Sequence, residues 1–241
     1  AHETFSKAGD RPFFSLVFTS SNHSPFDIPD NRVTVSEHGP RATAIKYADY
    51  ALGRFFAMAR RSDYWENTVF LIVADHSTDI NGGTLVPIER FRIPGVILGG
   101  SVEPRRIPGV TSQIDLLPTL LSLIGLSGAH PCIGRDLTRP EYAAGAGRAP
   151  MQFHEIQAYL EGDRMVVLRH DLPAKTFEVR TPDKIEVVPE GDPALERKAL
   201  AYALWGPMTI RNKAYFNYPE QRRAAGVSRP STTRPSALGN E

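Results

Sequence analysis

The first half of the chain alternates between apolar runs and polar segments. Residues 13–19 form a nearly continuous apolar run with aromatic and β-branched members, and residues 67–74 and 95–98 form two more. Runs of this kind are typical of strands that are buried on both faces of a parallel sheet. Residues 20–40, which are rich in Pro, Asn, Asp and Ser, predict a long loop after the first run.

Two helices are predicted in the same half. Apolar residues at 45, 48, 52, 55, 56 and 59 share one helical face. Apolar residues at 114, 117, 121 and 124 predict a second helix that ends at Gly125, with Asp115 as its cap and Pro118 in its first turn. Apolar strands that alternate with helices indicate an α/β fold with a mixed or mostly parallel sheet flanked by helices.

The pattern changes after Pro150. Residues 151–160, 164–170, 176–180 and 184–188 are short alternating segments, which predict a small antiparallel sheet, and residues 194–204 predict a helix that covers it. Residues 221–241 contain almost no large apolar side chains and predict a disordered tail. We therefore expect an α/β core in 1–150, an antiparallel strand and helix subdomain in 151–220, and the tail.

Composition excludes several classes of function. Lys plus Arg number 28 against 27 Asp plus Glu, so the chain lacks the basic excess that nucleic acid binding needs. A single cysteine excludes an internal disulfide and a multi-cysteine metal site. No run approaches the ~18 apolar residues of a membrane-spanning helix. The chain opens on Ala1, with no signal peptide, inside an amphipathic stretch, so we expect a fragment of a longer protein.

Asp75 and His76 are the most informative pair of polar residues, because they directly follow the predicted strand 67–74. Ligands of open α/β sheets bind outside the carboxyl ends of the strands. A carboxylate beside an imidazole can bind one divalent cation, and this mixed oxygen and nitrogen set suits Mn²⁺ or Zn²⁺. The alternative is a capping aspartate beside a histidine whose hydrogen bonds are satisfied.

His23 follows the first predicted strand in the same way, within the segment Ser-Asn-His-Ser-Pro-Phe at 21–26. Its imidazole could donate to a substrate oxyanion or bind a metal, and Asn22 could donate through its amide. The alternative is a loop histidine without a role. Asp79, Arg92 and Arg135 could line an anion site, or could equally be solvated loop charges.

Five blocks of sequence, in this order, resemble one enzyme family. They are residues 11–26, the helix 47–53 that leads into 67–70, the pair Asp75 and His76, residues 112–121, and residues 134–137. The chain is similar to the sulfatase and lipoteichoic acid synthase-like phosphoglycerol transferase family of the alkaline phosphatase superfamily. The resemblance covers roughly residues 12–168 and points to the C-terminal part of the catalytic domain.

The resemblance implies roles for three residues. Asp75 and His76 would bind a divalent metal, with Mn²⁺ expected and Zn²⁺, Mg²⁺ or Ca²⁺ as alternatives, and His23 would contact the substrate's phosphate or glycerol group. Family members also carry a threonine or formylglycine nucleophile and an acidic metal ligand near the start of the domain. Neither has a matching segment here, and Cys132 lacks the Cys-x-Pro-x-Arg pattern of sulfatases. We therefore expect the nucleophile outside this chain and the isolated chain to be inactive.

By the same resemblance, the parent protein is expected to be a metal-dependent phosphoglycerol transferase or phosphate-ester hydrolase. The alternatives are a sulfatase, or a binding or structural domain that has lost catalysis. The expected partner is a phosphate or sulfate ester, with lipid-linked phosphoglycerol as one candidate, and no nucleic acid. The family implies a periplasmic or cell-surface location, with a membrane anchor only in N-terminal segments that this chain does not contain.

Overall fold

A computed structural model of the chain describes residues 1–77, 85–128, 130–143, 147–181 and 184–214. The chain divides into two compact units. The first comprises Ala1–Asp75, Ile93–Arg106 and Leu120–Leu126. The second comprises the described parts of His76–Arg92, Ile107–Thr119 and Ser127–Glu241. Each unit is described by itself.

The first unit contains two helices and a two-stranded sheet. Helix α1 spans His2–Ser6 and α2 spans Pro40–Ala59. Strand β1 (Phe70–Val73) pairs antiparallel with β2 (Gly95–Leu98). The predicted helix is confirmed and begins earlier, at Pro40, where a proline costs no hydrogen bond in the first turn. The strands predicted at 67–74 and 95–98 are also confirmed, although β1 starts three residues later than expected.

An aromatic cluster forms the core of the first unit. Phe5, Ala59 and Tyr64 are buried, and Phe70 packs beside them. The rings of Trp65 and Phe70 are stacked with centroids 5.4 Å apart. The remaining partly buried members come from the last turns of α2: Phe55 and Phe56. Because aromatic pairs add specific attraction to their buried area, this cluster fixes the end of α2 against the start of β1.

The strand predicted at 13–19 is wrong, because these residues form no strand in the structure. Their apolar side chains face solvent, with Phe14 89% exposed, Leu16 79% and Phe18 76%. A strand takes its hydrogen bonds from a neighbouring strand, and no strand of the described residues pairs with this segment. Residues 20–40, by contrast, are irregular as predicted, and regular structure resumes only at α2.

A five-stranded antiparallel meander dominates the second unit. It confirms the predicted antiparallel sheet, except that the single segment predicted at 151–160 consists of two strands joined by a turn. Its strands are, in order, β3 (Arg148–Phe153), β4 (Ile156–Glu161), β5 (Arg164–Arg169), β6 (Leu172–Thr181) and β7 (Lys184–Val188). The predicted covering helix is also present and extends further than expected.

Three further helices lie among the described residues. Helix α3 (Leu116–Leu123) follows a 3₁₀ turn at Gln113–Asp115, and the positive φ of Gly125 ends it as expected. Helix α4 spans Pro140–Ala143 and α5 spans Pro193–Arg211. With its sheets and flanking helices, the chain has the α/β class that its sequence predicts. Every strand pair among the described residues is antiparallel, whereas a mixed or mostly parallel sheet was expected. No helix among the described residues is long and apolar enough to cross a membrane.

Both faces of the meander are buried at its centre. Successive strand residues point to opposite faces, so Tyr159 and Val166 pack with Leu195 and Ala199 of α5. The opposite face packs around Val86 in a larger cluster that contains Ile88, Met151, Ala158, Leu160, Met165, Val167 and Phe177. The centre of the sheet therefore lies between two apolar layers.

Candidate functional site

Asp75 and His76 follow β1 with only Ala74 between them and the strand, and both side chains are exposed. The backbone N–H of Ala74 donates to the carbonyl of Pro94 at 3.3 Å, so strand-like pairing continues to the residue before the pair. Nδ1 of His76 lies 2.7 Å from the carbonyl oxygen of Ser77. A carbonyl only accepts, so this contact requires the proton on Nδ1 and leaves the lone pair of the imidazole on Nε2.

The donor chemistry of this pair fits a divalent metal, but two side chains are only part of a site. Zinc takes three or four protein ligands, and Mn²⁺ prefers a larger oxygen-rich set. Among the residues that the structure describes, no group of three or more His, Cys, Asp or Glu side chains is arranged to hold a metal ion. Ligation by Asp75 and His76 therefore stays a prediction, and it requires further ligands.

His23 lies exposed in a backbone turn. Its N–H donates to the carbonyl of Ser20 at 3.0 Å, and its own carbonyl accepts from the N–H of Phe26 at 2.8 Å. Nδ1 of the ring lies 3.0 Å from the carbonyl oxygen of Ser24, so the turn positions the imidazole. The substrate contact stays a prediction.

The three charges considered for an anion site differ in their surroundings. Asp79 lies outside the described residues, and Arg92 is exposed. Nη2 of Arg135 lies 3.5 Å from Oε1 of Glu161, and its guanidinium stands over the ring of Tyr142 at 5.5 Å. Arg135 thus forms an ion pair and a cation–π contact within the second unit, and its role in an anion site stays a prediction.

The most deeply buried charges of the second unit belong to Asp115 and Arg148, whose pairing the sequence did not predict. Asp115 was expected to cap the helix. It lies at the end of the 3₁₀ turn, is 2% exposed, and its side chain completes a capping box with Ser112, which is the N-cap residue. Its Oδ2 accepts from the N–H of Ser112 at 2.9 Å, and its Oδ1 accepts from the N–H of Arg135 at 2.7 Å. Nη1 of Arg148 donates to Oδ1 at 3.0 Å.

The other N–H groups of Arg148 donate hydrogen bonds to neighbouring segments of the second unit. Nη2 donates to the carbonyl of Ile133 at 3.2 Å, and Nε donates to the hydroxyl of Tyr202 on α5 at 2.7 Å. A neighbouring hydroxyl, that of Thr119, accepts from the N–H of Leu137 at 3.0 Å. The blocks 112–121 and 134–137 are therefore joined by buried hydrogen bonds within the second unit.

One sequence signal could have revealed this pair. Asp115 interrupts an apolar run, Ile-Asp-Leu-Leu, and a carboxylate among apolar residues must be exposed, act as a cap or be paired. Its partner, Arg148, lies 33 residues further along the sequence, and a local sequence pattern cannot indicate so distant a partner.

The model of the Sulfatase family matches residues 1–126, which is more than half of the chain. The chain belongs to the sulfatase family. The match includes β1, the turn that holds His23 and the pair Asp75 and His76. It confirms the resemblance that the sequence blocks carry.

Several known proteins share this similarity. The lipoteichoic acid synthase-like protein YvgJ of Bacillus subtilis is 25% identical over 147 residues, which cover 50% of this chain and 23% of that protein. The choline-sulfatase of Rhizobium meliloti is 28% identical over 161 residues, covering 58% and 31%. A solved structure of an alkaline phosphatase superfamily protein from Vibrio parahaemolyticus superimposes with a TM-score of 0.81 at 41% identity, covering 90% of this chain and 54% of that one.

The share of each relative that the chain matches limits what can be concluded from the similarity. The chain spans less than a third of the length of these two curated relatives and about half of the solved neighbour. The fold and family of the described residues follow from the comparisons. The activity, substrate and partners of the whole protein do not.

Proposed function

We propose that this chain is part of a metal-dependent phosphoglycerol transferase or phosphate-ester hydrolase. The observation that carries the proposal is the exposed carboxylate and imidazole of Asp75 and His76 at the carboxyl end of β1, in a chain of the sulfatase family. Residues that follow a strand in this way are where α/β enzymes bind their ligands.

In this proposal the chain supplies two metal ligands and one substrate contact. The carboxylate of Asp75 and Nε2 of His76 would hold the cation, Mn²⁺ by preference, and the carbonyl of Ser77 would fix the orientation of the imidazole. Such a cation neutralises charge on the transferring oxygens and lowers the pKa of a nucleophile. His23 would donate to an oxygen of the phosphate or glycerol group.

We further propose that the nucleophile and an acidic metal ligand lie in segments outside this chain. No block of the chain matches either of them, and about half of the solved Vibrio relative has no counterpart here. The exposed apolar side chains of 13–18 support the idea, because a neighbouring strand would cover them. Membrane-anchoring segments and an extracytoplasmic location belong to the same proposal, as does lipid-linked phosphoglycerol as a substrate.

A sulfatase is the second candidate, since the chain is similar to a choline-sulfatase. A domain that has lost catalysis is the third. The gene sequence upstream of the codon for Ala1 separates the three. A threonine on a strand-to-helix turn supports the transferase or phosphate-ester hydrolase, and Cys-x-Pro-x-Arg supports the sulfatase. The absence of any nucleophile segment supports the inactive domain.

The direct test is an assay of the complete protein encoded by that gene. Metal-depleted protein is supplied with Mn²⁺ and offered a chromogenic phosphodiester and the matching chromogenic sulfate ester. We expect turnover of the phosphodiester only, dependent on metal and lost in Asp75→Asn. Turnover of the sulfate ester alone would favour the sulfatase. Metal-independent turnover, or full activity of Asp75→Asn, would overturn the proposed metal site.

A further inference from the structure

Helix α5 has a second apolar face that points away from the sheet. Its inner face contributes Leu195, Ala199 and Tyr202 to the core. The outer face carries apolar side chains at intervals of four residues, which place them in one stripe about 12 Å long. Pro207 lies inside the helix just before the last of them and removes one helical hydrogen bond there. These residues are exposed by 40–50% and are Leu200, Leu204 and Met208, with Trp205 at the edge of the stripe.

Cationic side chains lie at both ends of this stripe. Arg197 precedes Leu200 by three residues and Arg211 follows Met208 by three, so both share the helical face of the stripe. Both are exposed, and neither forms a salt bridge with any residue in the described part of the chain. The single acidic residue of α5, Glu196, lies in its first turn.

We propose that the outer face of α5 docks on an anionic lipid surface. A helix that lies in a membrane interface inserts apolar side chains at the depth of the acyl boundary and places Arg or Lys among the anionic headgroups. The outer face offers both, and tryptophan is the side chain most enriched at that depth. The sheet holds the opposite side of α5, so the helix would lie parallel to the membrane plane.

A second copy of the chain fits this face less well. A symmetric antiparallel pair of α5 helices centred on Leu204 would place Arg197 of one copy opposite Arg211 of the other. A parallel pair would place each arginine opposite the same arginine of the other copy. Either arrangement brings like charges together beside the apolar contact, which opposes association. Anionic headgroups satisfy the same arginines.

The contact should be weak and reversible. Four apolar side chains on a helix whose other face is occupied bury little area, and stable anchoring to a membrane takes a second signal. The arginine contribution should fall with added salt, because the Debye length shortens. Docking on lipid is independent of the ester chemistry, so vesicle binding can succeed or fail whatever the enzymatic assay shows.

The experiment uses the full chain and lipid vesicles. In the Trp65→Phe variant, Trp205 is the one remaining tryptophan. Vesicles that contain phosphatidylglycerol should move its emission to shorter wavelength and should sediment with the protein. We expect about fivefold less bound protein with pure phosphatidylcholine vesicles, and a similar loss at high salt.

Matched variants locate the contact. Leu204→Glu should reduce co-sedimentation about fivefold, because it places a carboxylate in the apolar stripe. Leu172→Glu is the control, since Leu172 is 50% exposed and lies on β6 rather than α5. The double variant Arg197→Gln and Arg211→Gln should lose the preference for anionic vesicles while keeping its far-ultraviolet circular dichroism.

Three results would overturn the proposal. One is binding that Leu204→Glu leaves unchanged. Another is no binding to anionic vesicles together with a concentration-dependent dimer that Leu204→Glu dissociates, which would assign the face to a second copy. The third is no vesicle binding and a monomer that associates with an acidic polypeptide through Leu204, which would assign the face to a protein partner.

Discussion

The guanidinium of Arg148 lies 3.0 Å from the carboxylate of Asp115, with 1% and 3% of the two side chains exposed. Such a pair loses the hydration of both charges, and only additional hydrogen bonds make the burial tolerable. Here backbone N–H groups and the hydroxyl of Tyr202 supply those bonds. The pair therefore connects the 3₁₀ turn before α3 to β3 and α5 within the second unit.

Removing one partner should destabilise the second unit strongly. Arg148→Met leaves the carboxylate of Asp115 buried without its cation, and we expect a loss of about 3–5 kcal/mol in the free energy of unfolding. Urea unfolding followed by far-ultraviolet circular dichroism measures it. The control is Arg164→Met, whose partner Asp192 lies 3.4 Å away at the surface, and which should change stability little. Equal effects of the two variants would contradict a special role for the buried pair.

Two glycines should respond in opposite ways to the same substitution. A Cβ on Gly134 would overlap the backbone carbonyl of Ile114, which cannot rotate away, so Gly134→Ala should cost about 1–3 kcal/mol. Gly53 lies inside α2 with nothing near its Cβ position, so Gly53→Ala should stabilise by about 0.5–1 kcal/mol. Thermal unfolding of both variants checks the pair. A stabilised Gly134→Ala would show that the two backbones can separate.

Local patterns predicted much of the fold because the elements concerned carry their own signal. The strand 95–98 is correct at both ends, and the meander and α5 were predicted from alternation and helical spacing. Residues 13–19 carry an equally clear signal and form no strand. An apolar run indicates that a segment can be buried, whereas a strand also needs a neighbouring strand with which to form hydrogen bonds.

For the candidate site, the sequence predicted which residues follow a strand but not the contacts that their side chains make. Asp75 and His76 lie one residue beyond the end of β1, close to where the sequence indicated, because the end of an apolar run locates the end of a strand. The contact of His76 with Ser77 could not be predicted, since it depends on the path of the backbone after the strand. Asp115 and Arg148 could not be paired because their contact is long-range.

Burial raises the pKa of Tyr159 to about 12, and the negative charge of Glu161 adds to the effect. Below pH 10 the folded and unfolded states both keep the phenol proton. Between pH 10 and about 12 the unfolded chain loses this proton while the folded chain retains it. The contribution of Tyr159 to the free energy of unfolding should therefore fall as the pH rises. Stability measured across this range in wild type and Tyr159→Phe checks it, and the variant should show a shallower decline. Identical declines would contradict the raised pKa.

In the complete protein, which supplies the further ligands, Asp75 and His76 should bind a divalent cation more tightly than the same residue types elsewhere on the surface. Asp75→Asn and His76→Ala should each weaken Mn²⁺ binding at least about tenfold, because each removes a direct ligand. The electron paramagnetic resonance signal of free Mn²⁺ reports the bound fraction. The matched control is His170→Ala, since His170 is also followed by an exposed carboxylate, with Nδ1 2.8 Å from Oδ2 of Asp171. Wild-type affinity in Asp75→Asn, or an equal loss in His170→Ala, would place the cation elsewhere and remove the support for the proposed metal site.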